Sequence, residues 1–278
     1  MPIDENSPGS RSTALLAVTT LLLIWSFMFT CIRTWAKWQQ KVWSWANDAV
    51  FMTGCLVAVG QCVTVFLATT KYGFGQGETA SSDQRGQAKA FHASELLYLG
   101  SVGLTKCSSA LFLSGLSRDQ RQRFSGLGLT VLSALWTIPG IVAVAVRGNK
   151  TPWQANGTLF TRWLGVDASG LVLELALWAF STSLVWGIHM QLKRRLKLIS
   201  IFGARLVLIP LVVLRLVRLQ PSTYDVSSVY DVTMVNIFTQ AVLHFAIIAE
   251  CLTCLRPLMQ TFHEELQLET RDYWGRYI

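Results

Sequence analysis

Six ionisable residues stand inside stretches that are otherwise apolar: Glu95, Lys106, Glu174, Arg205, Arg215 and Glu250. In hydrocarbon such a group is costly unless it is paired or wet, so each is a default site residue. Two kinds of chemistry are open to them. A carboxylate beside a cation makes an ion pair that fixes one helix against another. A carboxylate without one is held protonated by desolvation and can donate a proton. Depth along a helix, at about 1.5 Å per residue, sorts the partners. Glu174 lies roughly 9 Å below the outer end of the fifth of seven apolar blocks, and Arg215 roughly 7 Å below that of the sixth, so these two are expected to pair. Glu250, roughly 8 Å from the inner end of the seventh block, and Arg205, roughly 12 Å from that of the sixth, form a second expected pair, with Lys106 competing for Glu250. Glu95, near the outer end of the third block, shares Arg215 or faces a wet vestibule. One reading is that these pairs lock helix packing and nothing more. The functional reading is an outer cavity lined by Glu95, Glu174 and Arg215, with aromatics such as Trp178, that binds a small or amphipathic molecule.

Other reactive side chains point to less. His189 and His244 stand alone, and no His/carboxylate spacing suggests a metal. All six cysteines fall in or at the edges of apolar blocks, so no loop disulfide is indicated. Cys251 and Cys254 form a lone CxxC without the second pair a zinc site needs. They read as small residues at a helix end, with acylation of Cys254 the minor alternative. The Gly73–Gly75 pair follows no strand and reads as a turn, not a nucleotide motif. Gly54-x-x-x-Ala58 and Gly100/Gly103 read as close helix contacts. Asn149 and Asn156 each open a glycosylation sequon. No cofactor is expected.

The elements that hold these residues are membrane helices. Of 278 residues, 51% are hydrophobic and 14% charged, against about 25% charged in a soluble domain. Apolar residues gather in seven blocks near residues 12–32, 46–70, 90–116, 126–146, 168–191, 196–219 and 232–255, each of spanning length. Blocks five and six flank Lys193-Arg194-Arg195-Leu196-Lys197, the densest positive run, which reads as a hairpin tip in the cytoplasm. That orientation puts the N-terminus outside and the C-terminus inside. It places Arg33, Lys37, Lys41, Arg118, Arg121 and Arg123 in short inner connections and both sequons outside. The first block is long, with cations behind it and no clear cleavage site, so it reads as an anchor. The net charge of +8 is thus loop charge beside membrane spans, and no nucleic-acid motif is present. The expected fold is an all-α, polytopic seven-helix bundle over residues 12–260. Residues 1–11 are expected as a disordered outer tail and 261–278 as a cytoplasmic tail.

Several features recur in a fixed order and spacing: Arg33; Trp45 and Asp48; Tyr72-Gly73-Phe74-Gly75; Leu97-Tyr98 with Lys106; and Glu174 before Leu184-Val185-Trp186-Gly187. The basic hinge, Phe202, Arg205, Arg215-Leu216, Glu250 and Leu255-Arg256-Pro257 complete the set. In these the chain resembles the fungal rhodopsin-like integral membrane proteins, also called SAT4-like and related to Pth11-type receptor-like proteins. Asn47 stands where many members have aspartate, and the fourth-to-fifth loop lacks their cysteines. The resemblance implies a seven-helix fungal membrane protein. Retinal would require a lysine in the last block, which has none, and the Asp-Arg-Tyr and Asn-Pro-x-x-Tyr switches of animal receptors are missing.

Three functions follow as expectations. The first is receptor-like sensing of a small or amphipathic ligand at a plasma membrane, preferred over the endoplasmic reticulum, with a cytoplasmic signalling partner at the basic inner loops. An alternative is a membrane enzyme of the isoprenoid-cyclase kind, with Glu95 and Glu174 as the acids. A third is a transporter, against which stand the odd span count and the lack of repeats.

Overall fold

The computed structural model describes residues 8–40, 44–72, 84–117, 119–146, 157–186, 199–200, 202–219 and 233–254. They form seven helices: α1 (Pro8–Gln40), α2 (Trp45–Thr70), α3 (Gln84–Leu116), α4 (Gln120–Ala145), α5 (Gly157–Trp186), α6 (Leu208–Leu219) and α7 (Thr233–Cys254). A 3-10 turn, Gly203–Val207, leads into α6. All but α6 contain a stretch long and apolar enough to cross a membrane. The chain is therefore an all-α integral membrane protein. In lipid, backbone polar groups must be satisfied within the chain, which helices do segment by segment. Hydroxyls follow the same rule. Thr19, Thr30, Thr53, Thr69 and Ser133 each donate to the carbonyl four residues back.

Cross-helix contacts give the direction of each helix. On α2 and α3, Gly54 meets Leu104 while Gly100 meets Val57. On α3 and α4, Gly103 meets Thr137 and Leu99 meets Gly140. Trp136 donates to Val166 and Ser169 across α4 and α5. Glu174 meets Arg205 and Asp167 meets Arg215, so the segment from Gly203 to Leu219 runs back along α5. Arg205 meets Glu250 and Arg215 meets Thr239, so α7 runs back again. The bundle is up-and-down. One end, here the amino end, carries the starts of α1, α3, α5 and α7. The opposite end carries their finishes.

α3 and α7 form the centre, with 61% and 72% of their apolar windows buried; α1 and α4, at 17% and 22%, form the rim. The rim faces carry apolar stripes at helical spacing: Leu21, Ile24 and Met28 on α1, and Val131, Leu135, Ile138 and Val142 on α4. Such stripes suit lipid. Trp35, Trp38, Trp45, Phe124 and Trp186 are all exposed at the opposite end, as an aromatic belt at a membrane interface would be.

Several helices run past the expected bounds. α1 begins at Pro8, inside the expected tail, and continues to Gln40, so Arg33 and Lys37 belong to the helix and not to a loop. α3 and α4 begin at Gln84 and Gln120, and α5 at Gly157. Gln and Arg in the first turns of α3 and α4, and Thr161 and Arg162 early in α5, hide these starts from hydropathy. α4 continues through Pro139. The basic hinge 193–197, both sequons and the tail 261–278 lie outside the described residues.

Candidate functional site

The buried polar residues form three tiers. At the opposite end, a chain of charges crosses the bundle. Lys37 pairs with Asp48; Asp48 lies 3.7 Å from Arg33; and Arg33 lies 3.5 Å from Glu250. Glu250 is 3.4 Å from Arg205, Arg205 is 3.0 Å from Glu174, and Glu174 is 2.5 Å from Lys106. Cations and carboxylates alternate, and all seven side chains are buried. The chain joins α1, α2, α3, α5, the 3-10 turn and α7. Lys106 also lies 5.3 Å from the Trp136 ring centre, which brings in α4. Glu250 is the hub. It accepts from Arg33 and Arg205 and from the hydroxyls of Ser108 (3.3 Å) and Ser109.

Neutral hydrogen bonds make the middle tier. His244 Nδ1 is 2.9 Å from Ser26 Oγ and its Nε2 is 3.4 Å from Cys62 Sγ. Gln240 donates to Gln61 at 3.1 Å. His244 is therefore not isolated. It joins α1, α2 and α7.

The third tier, toward the amino end, centres on Arg215. Its Nη1 donates to Asp167 at 2.5 Å and its Nε to Thr239 at 3.0 Å. The guanidinium carbon lies 4.1 Å from the Trp163 ring centre and 5.0 Å from that of Tyr98. Glu95 is buried on α3, three residues before Tyr98. Between this tier and the Glu174–Lys106 pair lies a cavity of ≈ 20 Å³, which is room for one water. Tyr98, Lys106, Trp136, Asp167 and Glu174 line it together with Val212, Val242 and Ala246.

The expected Glu174–Arg215 pair is therefore corrected. Glu174 holds Arg205 and Lys106, and Arg215 holds Asp167. The apolar block starts at residue 168, whereas α5 begins at Gly157, so Asp167 stands inside the membrane and not at its edge. It is seven residues, about 10 Å, from Glu174 on the same face. Lys106 pairs with Glu174 and not with Glu250. The Glu250–Arg205 pair is present at 3.4 Å. Of the cavity residues expected, Glu174 is on the wall; Glu95 and Arg215 are not. Trp178 packs in a separate apolar cluster with Leu177 and Phe202. Arg33, Lys37, Asp48 and Asp167 join the site although hydropathy leaves them at or just beyond the edges of the apolar blocks. The i, i+4 spacing of Arg33 and Lys37, facing Asp48 across a short connection, is the signal that identifies them. Cys251 and Cys254 are both buried, which takes Cys254 out of reach of acylation.

The family model named fungal rhodopsin domain matches residues 32–261. The chain belongs to the fungal rhodopsin domain family. No curated protein matches the chain. The matched stretch contains every charge of the first and third tiers, from Arg33 to Glu250. As a fungal rhodopsin-domain protein it does not fit retinal. α7 has no lysine, the buried Lys106 is bound to Glu174 and to the Gly170 carbonyl at 3.1 Å, and the cavity beside it is water-sized.

Proposed function

We propose that this protein is a receptor-like sensor of a small or amphipathic molecule. In this reading it crosses the membrane seven times, with the N-terminus outside and the C-terminus in the cytoplasm. The observation that carries it is the buried charge chain. Desolvated charges are costly, and an alternating chain that touches every helix except α6 rearranges as a unit or not at all. Arg205, which bridges Glu174 to Glu250, sits in the 3-10 turn before α6, and such turns often mark hinges. A ligand entering near Arg215 would act on α6, and the hinge would pass that movement to Arg205 and so to the opposite end. There, Arg121 and Arg123 are exposed, and a hollow of ≈ 460 Å³ beside Asp119 and Phe124 suits a cytoplasmic partner. Membership in the family is consistent with a signalling role. A plasma-membrane address with glycans on Asn149 and Asn156 belongs to the same proposal.

The enzyme reading is the weaker one. A proton donor must be neutral, and Glu174 is held between two cations. The test is a deletion strain compared with its parent for second-messenger response to surface cues and for metabolites. The sensor reading expects a blunted response with intact metabolites. Loss of one product with build-up of a lipophilic precursor would replace it with the enzyme.

A further inference from the structure

Along α5, two cations supplied by other helices are held in the same way. Arg215 lies against the rings of Trp163 and Tyr98 and donates to Asp167. Two turns away, Lys106 donates to Glu174 and lies over Trp136. Each is a carboxylate with an aromatic face, the arrangement that recognises organic cations.

The parts of the first cage differ in how firmly they are placed. Asp167 and Trp163 are on α5, an unbroken helix of 30 residues. Tyr98 is on α3, a helix of 33 residues at the bundle centre. Arg215 is on α6, which has 12 residues and begins at the 3-10 turn. Were α6 to swing at that turn, the guanidinium would leave, and what stayed behind would be anionic and aromatic. We propose that the ligand is an organic cation, an alkylguanidinium or alkylammonium, that replaces Arg215 against Asp167, Trp163 and Tyr98. This rests on the sensor reading above and names its ligand class.

Two further observations support it. The adjoining cavity, at ≈ 20 Å³, leaves no room for a ligand beside Arg215, so binding and displacement are one event. Val242 and Ala246 of α7 line it and stay in place, an apolar surface for an alkyl chain attached to the cation once α6 has moved. An anionic ligand would instead draw Arg215 away from Asp167, leaving that buried carboxylate without its cation.

The test is direct binding to the full chain in phosphatidylcholine nanodiscs, with hexylguanidinium, hexyltrimethylammonium, hexanoate and hexanol as probes and thermal shift as readout. The two cations should raise the melting temperature saturably, and hexanoate and hexanol should not. Arg215→Gln removes the internal competitor and should tighten cation binding about tenfold. The double variant Asp167→Asn/Arg215→Gln keeps a neutral hydrogen-bonding pair, so the fold survives, and it should lose that binding. Preference for hexanoate or hexanol would overturn the cation assignment and leave the sensor reading standing. Cation binding unchanged in the double variant, or absent from both the wild type and Arg215→Gln, would also overturn it. Cation binding by a protein whose deletion strain signals normally would sustain the site and remove only the sensor reading.

Discussion

Glu250 shows how a charge is made tolerable in the middle of a membrane bundle. It is 0% exposed and accepts from two guanidinium groups and two serine hydroxyls, donors drawn from α1, α3 and the 3-10 turn. Replacing it with glutamine leaves Arg33 and Arg205 short of charge. Breaking a buried pair in this way costs about 3–5 kcal/mol. Denaturant unfolding of the purified Glu250→Gln protein should show that loss, and a change under about 1 kcal/mol would mean that the pairs are wet. The Arg215 partnership is open to a double-mutant cycle. Asp167→Asn with Arg215→Gln should give a coupling energy of about 1–3 kcal/mol, because the two groups touch. Glu174→Gln with Arg215→Gln should be additive to within about 0.5 kcal/mol, because Glu174 belongs to other cations. Comparable coupling in both cycles would contradict the separation into tiers.

Helix contacts follow from the small residues that allow them. A Cβ on Gly103 would lie 2.2 Å from Thr137 Oγ1 and 2.8 Å from its Cβ, so α3 and α4 touch there. Gly103→Ala should cost about 1–3 kcal/mol by forcing the two apart. Adding Thr137→Ala should recover only part, since its Cβ still intrudes. Gly128 on α4 has nothing within 4 Å, so Gly128→Ala should be neutral or stabilising by up to about 1 kcal/mol. Thermal unfolding of the three variants checks the order. The same contact was legible in advance in the Gly100/Gly103 pair, as were the apolar blocks, because hydropathy over twenty residues is a strong signal. Helix ends were not. α1 continues into Arg33 and Lys37 because Asp48 and Glu250 neutralise them, and those partners are remote in sequence. α5 gains its first turns at Gly157, and Arg162 there donates to the terminal carbonyls of α4. Depth arithmetic started from hydropathy edges misses such turns, and so gave Glu174 the wrong arginine. It placed Arg205 near Glu250 because α6 and α7 run antiparallel over nearly equal depth.

For the molecule as a whole, the surface is lipid-like and the interior sets polar tiers among apolar clusters. Apolar stripes on α1 and α4 face outward, while charges and amides line the helix contacts. The polar tiers make the bundle depend on electrostatic contacts shared among several helices, and a switch in the proposed reading would act through them. Arg205 is the side chain that links Glu174 to Glu250. Removing its charge is the most selective way to open the chain, because Glu174 keeps Lys106 and Glu250 keeps Arg33. The decisive measurement is therefore the second-messenger level, without any cue, in a deletion strain that expresses Arg205→Gln at the parental level in the membrane. The account predicts a raised basal level with a diminished further response to the cue. A parental basal level with an intact cue response would contradict it, and the charge chain would then be a packing device alone.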